Sequence, residues 1–460
     1  MDVINNFMNL TSSEGISRRK FLKASARGMA KLTALGIVSA VPLTRKAVAA
    51  GEIRPPDIRI EPNPVVKVLR WSEFVRSEKQ IWLENTRRWE KLTGGRVETD
   101  FLSWTQIRPK AALEATIGTG HDIVFGWHDD PHLYPDRLID LTDLAQYLGK
   151  KYGGWYPICE IYGRAMRTAR WIALPIRVGG TCINYRQSRV QEAGFEALPG
   201  NIEGLIRCCK ALRSKGHYTG FALGHAVGDA NTWTHWWLWS FGGKAVEADG
   251  KTVAINSMET VQALNAAREL FETMIPGVEQ WLDPDNNKAF LNGEISVTNN
   301  ASSIVYKAKH NFEQIYADLA VANMPVGPLG RPAELQAVSM GFIFKHSPVP
   351  NAARHYLAFM FEAEQYGDWV SGSQGYITQA LRQFYDLPAW RQDARITPFR
   401  ECASRLFPNS YAGPPCTASA AAMSEFIIVD MFADACTEKK SPRQAALTAE
   451  KRLARLYRQA

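Results

Sequence analysis

From residue 65 onward, apolar positions recur with two alternating periods. Val65-Val66-Lys67-Val68-Leu69-Arg70-Trp71 is a short β-branched run and reads as a strand. Ile81, Trp82, Trp89 and Leu92 then recur at helical spacing until Gly94-Gly95 ends the helix. Residues 96–101 alternate as a second strand, 110–117 are helical, and 122–125 read as a buried strand. Strand, helix, strand, helix, strand predicts a parallel α/β layer. Such a layer binds ligands beyond the carboxyl ends of its strands. The residues that follow each strand are therefore the informative ones: Trp71-Ser72-Glu73, Trp104-Thr105-Gln106 and Trp127-His128-Asp129-Asp130. Each set offers an aromatic face and a side chain able to hydrogen-bond.

A second series begins at 171–176, is broken by Gly179-Gly180, and resumes as extended structure at Cys182-Ile183-Asn184-Tyr185. Helices are predicted over 189–194, 203–215 and 257–275. Ser257 is the N-cap of the last, with Val261, Leu264, Phe271 and Met274 on one face. Farther on, Asn351 is placed to cap an apolar helix, and Ser441-Pro442 opens a terminal one. Four prolines between 52 and 64 mark an extended leader.

With 460 residues, 46% hydrophobic and 22% charged, the chain is neither a disordered tail, a fibre nor a multispan membrane protein. Its net charge of +8 suggests a polyanion partner until the charge is located. The first 50 residues hold eight of the 54 basic and two of the 46 acidic side chains, so +6 of the +8 lies there. The remainder shows no basic face, which argues against nucleic acid. That basic segment has an order of its own. Ser17-Arg18-Arg19-Lys20-Phe21-Leu22-Lys23 precedes a mildly apolar stretch from 32 to 43, then Ala47-Val48-Ala49. A charged region, an apolar region and an A-x-A site make a cleavable export signal over 1–49, and the Arg pair resembles a twin-arginine signal. The mature chain is expected to begin near Ala50, outside the cytoplasmic membrane. Seven cysteines at irregular spacing make no disulfide framework, although Cys402 and Cys416 flank a Pro/Gly-rich loop and are candidates to pair.

The order of segments resembles the extracellular solute-binding proteins of sugar-type ABC importers, the maltose-binding group included. The resemblance is carried by Asp122-Ile-Val-Phe-Gly-Trp-His-Asp129, Ala173-Leu-Pro-Ile176 through Asn184-Tyr185, Phe241-Gly-Gly-Lys244, Ala289-Phe-Leu-Asn-Gly-Glu294 through Asn299-Asn300, and Ser441-Pro-Arg-Gln-Ala445. It implies two α/β lobes closing on a ligand, with three crossings near 175–179, 298–301 and 338–341. Lobe 1 would comprise 65–175 and 301–338, lobe 2 would comprise 176–300 and 339–460, and 50–64 would be the leader. The implied function is capture of a carbohydrate or polyol and delivery to membrane permease subunits, by a monomer, without catalysis. The run Trp281-Leu-Asp-Pro-Asp-Asn-Asn287 resembles a subgroup of this family.

A sugar needs flat aromatics for its ring face and carboxylates or amides for its hydroxyls. Asp129 matches an Asp that holds sugar hydroxyls in maltose binders; its bland alternative is a turn cap. That group's stacking Trp is replaced here by Gly126, with Trp127 one place later. Asn231 precedes Trp233, Trp236 and Trp237, which share one helical face and serve either ligand or core. Trp233 is the one favoured for contact. Arg177 fits an acidic sugar or a solvated surface equally. The ligand-contact candidates are thus Trp71, Glu73, Trp104, Trp127, His128, Asp129, Arg177, Asn231, Trp233, Asn299, Asn300 and, at the last crossing, Met340. A metal reading of His128-Asp129-Asp130-Pro131-His132 fails on geometry, since adjacent residues cannot all face one ion. H-E-x-x-H, P-loop and dinucleotide motifs do not occur, so no cofactor is expected. The rival is a twin-arginine-exported, metal-dependent enzyme.

Overall fold

A computed structural model describes residues 53–72 and 74–458. The export-signal segment and Glu73 therefore lie outside the described residues. Among the described residues, eight strands form two sheets. Val65–Trp71 (β1), Arg96–Leu102 (β2), Ile123–Gly126 (β3), Leu174–Gly179 (β4) and Ala337–Ile343 (β8) make a five-stranded sheet in the order β2-β1-β3-β8-β4. Cys182–Arg186 (β5), Val297–Asn300 (β6) and Leu319–Ala322 (β7) make a three-stranded sheet in the order β6-β5-β7. β1 runs parallel to both β2 and β3, as the strand–helix rhythm predicts, whereas β8 is antiparallel to β3 and β4. The five-stranded sheet packs in one hydrophobic cluster and Ile183, Tyr185 and Val297 of the three-stranded sheet in another, and the chain forms two lobes.

Helices follow the local chemistry. Helix α1 (Arg76–Thr93) buries Trp82 and Trp89 and ends at Gly94, whose left-handed φ of 74° lets its N–H reach the Glu90 carbonyl. Helix α2 (Trp104–Ile117) starts six residues before the expected 110. Ser103 and Gln106 form a reciprocal capping box, which nucleates the helix ahead of Pro109. That early start carries Trp104 to the sheet's carboxyl edge. In the second lobe, helix α3 (Asp229–Ser240) is buried on every side from Ala230 to Ser240. It packs with α4 (Met258–Phe271), and α5 (Asp285–Leu291) and α6 (Ser303–Asn311) flank β6. Helix α7 (Pro350–Met360) begins one residue before Asn351, which is therefore no cap. The Glu61 carboxylate of the leader accepts the Asn351 and Ala352 N–H groups at 3.0 and 2.8 Å instead. After α8 (Ala363–Gly372), the helices α9 (Thr417–Ser424), α10 (Ile427–Cys436) and α11 (Pro442–Tyr457) complete the second lobe, the last with the Ser441 capping box. Among the described residues, no helix is long and apolar enough to cross a membrane.

Sheet membership redraws the expected lobe boundaries. β6 and β7 both pair with β5, so the chain stays in the second lobe at 298–301 and does not cross there. Residues 338–341 lie inside β8, in the first sheet, and α7 and α8 pack on that sheet's cluster. The chain leaves the first sheet at Gly180-Thr181 and returns between Ala322 and Ala337. These two passages are stitched together. The Gln336 side chain accepts the Thr181 N–H and donates to the Thr181 carbonyl at 3.0 Å. Gln336 also donates to Glu334, whose carboxylate pairs with Arg405 at 3.0 Å. All seven cysteines are free and buried, and Cys402 faces Cys182 at 3.9 Å, away from Cys416.

Replacing Gln336 by Ala strands both polar groups of a buried peptide. We expect a loss of about 1–3 kcal/mol in urea-unfolding stability, with the far-UV spectrum unchanged.

Candidate functional site

Where the two lobes meet, a cleft of about 60 Å³ opens beyond the carboxyl ends of β1 and β3. Its first-lobe wall is aromatic. Phe74 follows β1, Trp104 opens α2, and Trp127 follows β3, with Tyr376 beside them. Trp104 sits 4.5 Å from Trp127 and 5.0 Å from Trp71, centroid to centroid. Arg177 of β4 lies over the rings of Tyr376, Trp71 and Trp104, at 4.4, 4.9 and 5.6 Å. Its Nε donates to Ser339 Oγ and its Nη1 to the Tyr376 carbonyl. Cation–π contact and these bonds fix the guanidinium although it is only 3% exposed.

The second-lobe wall is polar. Asp229 and Thr232 come from the start of α3, Asp283 and Asn287 from α5 and its approach, and Asn300 and Ser303 from β6 and α6. Asp283 accepts the N–H groups of Val227, Gly228 and Asp229 at 2.9–3.1 Å and so fastens the start of α3. Ser303 donates to both Asn300 and Asn287 at 2.9 and 3.0 Å, and Asn300 reaches Asp229 at 3.5 Å. Asp229 and Asp283 repel each other. Burial pushes both carboxyls up; three N–H donors hold Asp283 back, while burial and its neighbour push the Asp229 carboxyl well up. Gly228 is the point of contact between lobes: a Cβ there would stand 3.2 Å from the Trp127 ring and 3.1 Å from Asp283.

Of the residues singled out by sequence, the structure brings Trp104, Trp127, Arg177 and Asn300 together on the cleft. Trp71 is one layer behind, under Trp104 and Arg177. Asn299 is fully buried behind Asn300 and donates to the Asp229 carbonyl at 3.2 Å. Asn231 turns back to the Val227 carbonyl at 3.0 Å. Trp233 is core: it is 0% exposed, donates to the Ala222 carbonyl at 2.6 Å and packs on Phe221, Trp237 and Phe432. Met340 is core as well, paired with Gly126 and Pro175 in the middle of the sheet.

The largest departure concerns His128 and Asp129. Arg108 clamps Asp129 at 2.6 Å and Asp130 with it, and Asn409 donates to Asp129 at 3.3 Å. Helix α9 lies over this loop, with Thr417 donating to the His132 carbonyl at 3.0 Å and Met423 against His128. Asp129 is therefore 0% exposed and serves the loop's own ion pair. Burial lowers the His128 imidazole well below its ordinary range and His132 to about 4, so both are neutral. Among the described residues, no group of three or more His, Cys, Asp or Glu is placed to hold a metal. The same network explains Gly126: a Cβ there would meet Asp130 Oδ2 at 2.5 Å, the oxygen that accepts the Trp127 N–H. The aromatic side chain is displaced by one position for that reason.

Residues that sequence reasoning missed are Phe74, Asp229, Thr232, Asp283, Asn287, Ser303 and Tyr376. Asp283 and Asn287 lie in the conspicuous run 281–287, which was a usable signal. Tyr376 had none.

The family model for bacterial extracellular solute-binding proteins matches residues 72–367. The chain belongs to this family. The chain matches none of the curated proteins. Solved structures give the fold. The GacH receptor of Streptomyces glaucescens, solved unliganded and with acarbose, is 17% identical with a TM-score of 0.73, covering 86% of this chain and 99% of that one. Maltose-bound MalE3 of T. maritima is 20% identical with a TM-score of 0.73, covering 85% and 100%. A solute-binding protein of Agrobacterium radiobacter in complex with ribitol is 17% identical with a TM-score of 0.71, covering 86% and 100%. This is the two-lobe periplasmic-binding-protein architecture, and the cleft occupies the seam between its lobes.

Asp129→Ala leaves Arg108 without one of its two buried partners and should cost about 3–5 kcal/mol in denaturant melts. Asn300→Ala, on the cleft, should change stability by well under half as much.

Proposed function

We propose that this solute-binding protein captures a carbohydrate or polyol between its lobes and presents it to the permease of an ABC importer. The observation that carries the reading is the division of the cleft into an aromatic wall and an amide, hydroxyl and carboxylate wall. A sugar or polyol has an apolar carbon face and a rim of hydroxyls, and each meets its complement here. The structurally similar proteins solved with acarbose, maltose and ribitol support the same reading. The guest would shift the equilibrium toward the closed form by its differential affinity for it, and the closed shape is what the permease reads. Binding without catalysis, as a monomer, belongs to this proposal, as does export through the twin-arginine route.

Thermal melts of the mature chain against sugars, polyols, sugar acids and sugar phosphates test it. A true ligand at a hundredfold excess over its Kd adds about 2.7 kcal/mol. Trp127→Ala should weaken that ligand at least about tenfold and, because the ring is buried, also lower unliganded stability by about 3–5 kcal/mol. A panel without any shift would refute the reading. Export is tested separately: Arg18→Lys with Arg19→Lys should hold the full-length precursor in the cytoplasm on fractionation, and unimpaired export would exclude the twin-arginine route.

A further inference from the structure

Among the described residues, acidic side chains lining the cleft outnumber basic ones. Three of its lining residues are charged: Arg177 on the first-lobe wall, Asp229 and Asp283 on the second. Arg177 is held inside its own wall by Ser339, Tyr376 and three rings. Asp283 is engaged too, because its carboxylate takes three backbone N–H groups at the start of α3 and complements the helix's partial positive charge. Asp229 is left over. Its carboxylate is reached by amides, Asn300 at 3.5 Å and Asn286, and the charged group that acts on it is another carboxylate, Asp283. Among the described residues no Lys, Arg or His makes an ion pair with it. Across the cleft stands the aromatic ring of Trp127, 4% exposed. Its ring reaches the Gly228 that adjoins Asp229. A carboxylate on one side and an indole on the other both favour a cation between them.

We infer that the guest carries one ammonium group: an amino sugar or amino polyol whose nitrogen sits against Asp229 and Trp127 while its hydroxyls meet Asn287, Asn300 and Ser303. This rests on the carbohydrate reading above and narrows it. The upward push on the Asp229 carboxyl is the direction that a neighbouring cation reverses.

Isothermal titration of the mature chain with matched compounds tests the inference. Glucosamine is compared with glucose and N-acetylglucosamine, glucamine with sorbitol, and propylammonium serves as a cation without hydroxyls. An amine should bind at least about tenfold tighter than its hydroxyl and N-acetyl counterparts, a difference of about 1.4 kcal/mol. In Asp229→Asn that preference should vanish. Neutral compounds that bind as well as the amines, or a preference that survives in Asp229→Asn, overturn the inference and leave the carbohydrate reading standing. Propylammonium binding as tightly as glucosamine keeps the cation site and overturns the carbohydrate reading. Silence from every compound overturns both. Should Asp229→Asn fail to fold, the wild-type comparison decides alone.

Discussion

A chain that leaves one sheet and enters another must break two ladders of backbone hydrogen bonds in a buried place, and the whole molecule depends on how that break is repaired. Here the repair is a side-chain amide. Gln336 gives Thr181 both an acceptor and a donor, so the peptide between β4 and β5 is satisfied although no strand lies beside it. Because Gln336 itself precedes β8, the outgoing and returning passages are bonded to each other. The Glu334–Arg405 pair backs the amide from the far side. Two lobes joined this way share a narrow, bonded seam, and the cleft lies along it.

The walls of that cleft are built by different means. The first-lobe wall is a stack in which Trp71, Trp104 and Tyr376 surround Arg177 and Trp127 packs on Trp104, so its shape comes from aromatic packing and a trapped guanidinium. The second-lobe wall is a net of short polar bonds among Asn287, Asn300, Ser303, Asp229 and Asp283. A stack resists deformation and presents a surface for carbon; a net of amides presents many donors and acceptors in fixed directions. The division suits a guest whose faces differ in polarity.

The loop after β3 shows how one charged contact reorganises a site. Arg108, a turn into α2, reaches Asp129 and Asp130 together. That clamp leaves no room for a side chain at Gly126, moves the aromatic to Trp127 and turns Asp129 inward beneath α9. The outcome is a cleft in which the carboxylates come from the second lobe, at Asp229 and Asp283, and the first lobe contributes rings.

Periodicity and capping chemistry are local, and they were legible. The strands at 65–71 and 182–185, the Gly94 stop, the Ser441-Pro442 start and the aromatic residues after β2 and β3 all follow from neighbours within a few positions. The family could be read from the same order of segments. What lay beyond reach were contacts between residues far apart in sequence. That α9 covers Asp129, that Glu61 caps α7, that Trp233 is enclosed on all sides and that β7 joins β5 depend on how elements stack in space. A residue's type and its neighbours limit which bonds it can form. Whether it forms them with a ligand, with solvent or with a distant helix is decided by burial, and burial is a property of the assembled fold.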